Sequence, residues 1–164
     1  MRAIGAVVVL AALAAGARAD DRGFTWGGFA GPGYDSRSGY RTGFDLELGQ
    51  RIDHIEWAVA PRVMVIGHTA VFETMALFRV FVAPSSYVEA AAGIAFLPGN
   101  SGGDFVHLPD LQPCLSVGVG QNLVRSQHWL LDVRAMYTVD FGFTVDNEKS
   151  TIQGVLVGPA LRFY

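Results

Sequence analysis

YRTGFDLELGQR, residues 40–51, is the stretch on which the fold turns. Tyr40, Thr42, Phe44, Leu46 and Leu48 fall on one side of an extended chain, and Arg41, Asp45, Glu47 and Arg51 on the other. Successive side chains of a β-strand point to opposite faces, so the segment is predicted as a strand with one apolar and one charged wall. In a sheet surrounded by water, the charged wall faces out. In a barrel surrounded by lipid the order inverts, because hydrocarbon wets the outer wall and the lumen accepts polar groups.

The rest of the chain favours the inverted order. Charged residues make up 16% of the 164 and hydrophobic residues 51%, whereas about a quarter of an average soluble domain is charged. Some of this excess lies at the start, where Arg2 precedes the apolar run AIGAVVVLAALAAG (3–16) and then Ala17-Arg18-Ala19. A positive residue, an apolar core and an A-x-A site are the parts of a secretory signal peptide. Cleavage is expected after Ala19, making 1–19 the signal peptide and 20–164 the mature barrel. The run is shorter than the roughly 20 residues of a membrane-spanning helix, so it reads as removed and not as an anchor. Losing Arg2 and Arg18 takes the formal charge from −3 to −5. A mildly acidic chain without a basic patch excludes nucleic acid as a partner. Cys114 stands alone, so no disulfide framework exists, and it reads as a small residue packed in a strand.

No stretch of the mature chain keeps helical apolar spacing for three turns. It divides instead into alternating or apolar runs at about 24–33, 40–51, 56–66, 74–83, 87–97, 112–123, 128–140 and 151–163, separated by turn-rich gaps. The expected fold is all-β, an eight-stranded antiparallel up-and-down transmembrane barrel. The second, fourth and sixth gaps are short. The third (GHTAVFE), fifth (PGNSGGDFVHLPDL) and seventh (FGFTVDNEKS) are longer, as expected for short periplasmic turns and longer outward loops. An even number of strands closes the sheet without an edge, a requirement where unpaired backbone has no water to bond.

Charges inside the predicted strands keep parity: Arg41, Asp45 and Glu47; Glu56 and Arg62; Arg79; Glu89; Asp132, Arg134 and Asp140. In a narrow eight-stranded lumen, which side chains just fill, these groups can pair with one another. Facing lipid, each mid-bilayer Arg would cost about 2–4 kcal/mol. The alternate positions are apolar, among them Phe44, Trp57, Val59, Val63, Val88, Ile94, Leu115, Val117, Val119, Leu131 and Val133. Trp26, Trp57 and Trp129 begin odd-numbered strands, and with Phe163 and Tyr164 they are expected to form an aromatic girdle at one rim. Tyr34, Tyr40, Phe72, Tyr137 and Phe141 are expected to form the other. Tyr87 shares parity with Glu89 and does not fit either girdle.

These features together resemble the small eight-stranded barrels of the bacterial outer membrane, including an aromatic C-terminus, LRFY (161–164). The resemblance implies outer-membrane localisation, contact with outer-membrane lipid and lipopolysaccharide, and recognition of the C-terminal strand by the barrel-assembly machinery. YVEAAAGIAF (87–96), SVGVGQNL (116–123) and LDVRAMYTVDFG (131–142) further resemble the last strands of the lipid A 3-O-deacylase family, an outer-membrane esterase with a His-x-Ser pair on its outer wall. Aligning on Val133-Arg134-Ala135 puts Tyr137 at the His position and Val139 at the Ser position, and neither side chain can do that chemistry. An acidic partner early in the last strand would fall near Glu148 or Gln153.

Asp104, His107 and Asp110 in the fifth gap are a candidate divalent-cation set, and His68 with Glu73 a similar one in the third. No cofactor is expected. The leading reading is a non-enzymatic barrel of structural or interaction role, with a salt-bridged lumen and no open pore. A lipid A ester hydrolase is the alternative. A secreted lipocalin-like carrier is third, from a loose match at Gly23-Phe24-Thr25-Trp26.

Overall fold

The computed structural model describes residues 22–96, 111–145 and 148–164. Residues 1–19, expected to be a signal peptide, and the Asp104, His107, Asp110 set lie outside the described residues. Eight strands follow in chain order: β1 (Arg22–Asp35), β2 (Arg41–Ile52), β3 (Ile55–Ile66), β4 (Thr69–Ala83), β5 (Ser86–Phe96), β6 (Gln112–Arg125), β7 (Trp129–Val145) and β8 (Glu148–Phe163). Each pairs antiparallel with the next, and β1 pairs with β8, so the sheet is a closed barrel without an edge.

The alternation of residues 40–51 becomes inside and outside. Arg41, Asp45 and Glu47 are buried, while Phe44 and Leu48 lie exposed on the outer wall. The same parity runs round the ring: Trp57, Val59, Val63, Val88, Ile94, Leu115, Val117, Val119 and Val133 point outward, and Met64, Met75, Met136 and Leu156 point into the lumen. A barrel this narrow has no room for a solvent core, so its interior is filled by side chains.

The expected alternation of loop lengths does not hold. Gly67 and His68 alone separate β3 from β4, and only residues 146–147 lie between β7 and β8. The polar letters of GHTAVFE and FGFTVDNEKS belong mostly to longer strands, β4 starting at Thr69 and β7 running to Val145. A two-residue hairpin turn needs a left-handed first residue, and Gly67 supplies it with φ of 59°. At the opposite rim Asp53 does the same between β2 and β3, with φ of 54°, a conformation Asp tolerates better than most residues.

Tyr87, which fitted neither girdle, is 1% exposed inside the lumen. Its ring lies over the position of Gly120 on β6, where an added Cβ would overlap the ring atoms. Gly120→Ala is therefore expected to destabilise the barrel by about 1–3 kcal/mol, the ordinary cost of overpacking. Most of that loss should disappear in a Tyr87→Ala background. Denaturant unfolding of the four proteins of the cycle measures the coupling, and additive losses would disprove it.

Candidate functional site

The most unusual chemistry of the molecule is the inside of the barrel. Arg41, Arg62, Arg79, Arg134 and Arg162 are each at most 2% exposed, as are Asp45, Glu56, Glu73, Asp132 and Asp140; Glu47 and Glu89 are at most 7% exposed. Ionised groups withdrawn from water are tolerated only when paired and hydrogen-bonded, and the register supplies the pairing.

In the half of the lumen nearer the β2–β3 turn, Arg79 is the hub. It donates to Glu47 Oε1 at 3.1 Å, to Glu89 Oε2 at 2.9 Å and to Glu56. Arg134 donates to Glu47 and Glu89 from β7, and Arg162 joins Glu56 at 3.3 Å to Asp132. Carboxylates from β2, β3, β5 and β7 are thereby tied to guanidinium groups from β4, β7 and β8. The planar guanidinium presents several donors at fixed angles and suits such multiple bridging. The Tyr87 ring lies between two of them, 4.7 Å from Arg79 Cζ and 4.6 Å from Arg162 Cζ. Arg134 Cζ stands 5.1 Å over Phe29.

The half nearer the β3–β4 turn is looser. Arg62 pairs with Asp45 at 3.5 Å and Glu73 at 3.4 Å, and Arg41 with Asp140 at 3.4 Å. Arg134 also reaches Asp45 at 3.5 Å and links the two halves. At the rim, Asp35 accepts backbone hydrogen bonds from Arg37 at 2.8 Å and Ser38 at 2.6 Å, pinning the β1–β2 turn.

All ten charges with strand parity thus lie in the lumen and pair there. Arg79 and Glu89 meet each other across β4 and β5. Two further members escaped the sequence reading. Glu73, read as a loop residue beside His68, is on β4 facing inward, while His68 is exposed in the turn, so the two do not form a cation site. Arg162 falls in the C-terminal strand, where attention to LRFY as an aromatic tail hid a charge of inward parity.

Trp26, Trp57, Trp129 and Phe163 have outer-wall parity. Trp57 is 49% exposed, and Trp26 stacks on Phe163 with ring centroids 4.1 Å apart across the β1–β8 seam. Trp129 pairs in register with Phe163 from the other side. Tyr164 departs from the expected girdle: it shares the inward parity of Arg162, is half-buried, and accepts a hydrogen bond from Arg51 Nη1 at 3.2 Å at the mouth of the lumen. At the other rim Tyr34 and Tyr40 are exposed, and Phe72 stacks on Phe96 at 5.4 Å.

Tyr137 and Val139 lie on the outer wall of β7, and the Tyr137 hydroxyl donates to Gln153 Oε1 at 2.6 Å. A phenol that donates to an amide oxygen has no base in that pair to activate it for ester cleavage. The lipocalin-like reading meets a different obstacle. An interior filled by paired charges is not an apolar ligand cavity.

No protein-family model matches this chain, and no curated protein sequence matches it. Among solved structures, the crystal structure of Neisserial surface protein A (NspA) is similar at 19% identity with a TM-score of 0.64, over 85% of this chain and 96% of that one. A de novo designed transmembrane β-barrel is similar at 14% identity with a TM-score of 0.50, over 84% of this chain and 94% of that one. The chain thus has the fold of small eight-stranded barrels of the kind found in outer membranes, closed around a salt-bridged lumen.

Proposed function

We propose that this protein is an integral outer-membrane barrel with a structural or interaction role, exported by its N-terminal signal peptide. The observation that carries the reading is the inversion of the two walls. Exposed Val59, Val117, Val119, Val133 and Val157 cover the outside, where a soluble barrel would place charge, and the charges are buried inside. Water exposure of so continuous an apolar wall would drive aggregation, whereas hydrocarbon solvates it. The aromatic residues at the two rims suit the headgroup level. The same arrangement supports contact with outer-membrane lipid and lipopolysaccharide, and presentation of the C-terminal strand to the barrel-assembly machinery.

A lumen closed by the Arg79, Arg134 and Arg162 network is a plug and not a conduit. The purified protein is expected to need detergent, to migrate on gels as a compact band that shifts on heating, and to give no stable single-channel conductance in planar bilayers. Solubility without detergent, or a steady conductance, would refute the reading. Lipid A from an outer-membrane-bearing host is expected to be unchanged by its expression. Loss of one ester-linked acyl chain would instead establish the deacylase alternative.

A further inference from the structure

The looser half of the lumen contains a second kind of chemistry. Glu73 on β4, Cys114 on β6 and Asp140 on β7 each direct one ligand-capable atom to a common point, all within 4.8 Å of one another, and all three are buried. The register explains the convergence. Met75, Gly93, Cys114 and Asp140 form one continuous row across β4, β5, β6 and β7. Because Gly93 has no side chain, the sulfur atoms on either side of it approach, and the Cys114 thiol lies 3.1 Å from Met75 Sδ.

One further feature marks this as a ligand set and not merely a tight corner of the core. Glu73 Oε1 and Asp140 Oδ1 accept no hydrogen bond, although Glu73 is 2% and Asp140 0% exposed. A buried carboxylate oxygen without a donor is costly.

We propose that Glu73, Cys114 and Asp140 bind one thiophilic divalent cation of the zinc or cadmium class inside the barrel. Thiolate with carboxylate is a donor set for such ions and not for calcium or magnesium, which take oxygen alone. Binding forms a metal–sulfur bond and releases the thiol proton to solvent. Because the site is sealed by its surroundings, the ion enters as the barrel folds and ties β4 to β6 and β7 across the lumen. The inference holds whether or not the membrane role proposed above is right, since it depends only on the interior.

The test is to refold the full mature chain in detergent with Zn²⁺, Co²⁺ or no metal, remove free metal and measure what remains bound. One ion per chain is expected, with a near-ultraviolet sulfur-to-cobalt charge-transfer band for the Co²⁺ form. Cys114→Ser should abolish that band, and Glu73→Gln should weaken affinity by about 10-fold or more. If Cys114→Ser fails to fold, zinc-edge X-ray absorption of the wild type decides the matter, because it reads one sulfur neighbour directly. Absence of stoichiometric metal, a metal shell without sulfur, or retention unchanged in Cys114→Ser would overturn the proposal.

Discussion

Arg79→Met is expected to cost about 3–5 kcal/mol of folding free energy, the range for breaking a buried ion pair by removing one partner. The reason is in what remains behind. Glu47, Glu56 and Glu89 all accept from Arg79, and without it three carboxylates are left close together out of reach of water. Arg134 and Arg162 can compensate only in part, since they are already committed to Glu47, Glu89, Glu56 and Asp132. Replacing the hub and its acids together by apolar residues should recover much of the loss, because the penalty comes from uncompensated charge and not from an attraction that the fold cannot do without. Arg51→Ala is the comparison. Arg51 is half-buried at the rim, where it donates to the Asp53 carbonyl at 2.9 Å and stacks over Phe81 at 3.9 Å, so its removal should cost much less. Urea unfolding in detergent micelles or lipid vesicles, followed by tryptophan fluorescence, measures both. Equal losses for the two variants would contradict the role given to Arg79.

Val117→Arg is expected to cost about 2–4 kcal/mol in a bilayer, the penalty for arginine facing lipid near the midplane of a barrel. Val117 lies within β6, is 56% exposed and pairs in register with Ala90 and Tyr137. The same substitution on a water-facing wall would fall within about 0.5 kcal/mol of neutral. The variant therefore separates the two environments that the alternation of residues 40–51 left open at the outset. Loss of stability in vesicles, with a smaller loss in short-chain detergent whose surface can adapt, is the expected result. A neutral substitution in vesicles would mean that this wall does not face hydrocarbon.

Much of the fold was legible because a strand has the simplest of periods. All eight strands fall where alternation and turn residues put them, and the side on which each charge lies followed from parity alone. The errors are concentrated at strand ends. Thr69 and Glu73 fall in a segment that opens on the turn residues Gly67 and His68 and so suggests a loop, yet Glu73 keeps the inward parity of β4. Glu73 obeys the rule that had already placed Glu47 and Glu56. Arg162 is masked in the sequence by its outward neighbours Leu161 and Phe163, which give the C-terminus an apolar, aromatic look. Which charges pair was not legible at all. Arg79 meets Glu47 across 32 positions of sequence and Arg134 meets Glu47 across 87, separations that only the closed register brings together. The position of Cys114 in a strand could be read, but the convergence of Glu73 and Asp140 on its sulfur could not, because that depends on two strands lying across from each other.

The seam between β1 and β8 has a kinetic consequence. The other seams join strands that are adjacent in sequence, and most of them can form as local hairpins soon after both strands exist. The Trp26–Phe163 stack and the β1–β8 ladder join the first and last strands of the barrel, so the longest loop closure of the topology falls on this one step. Until it is taken, both terminal strands expose unpaired backbone, which invites pairing with other chains. The ring is therefore an assembly whose first-made strand must wait for its last, and its vulnerable lifetime is set by how long that wait lasts.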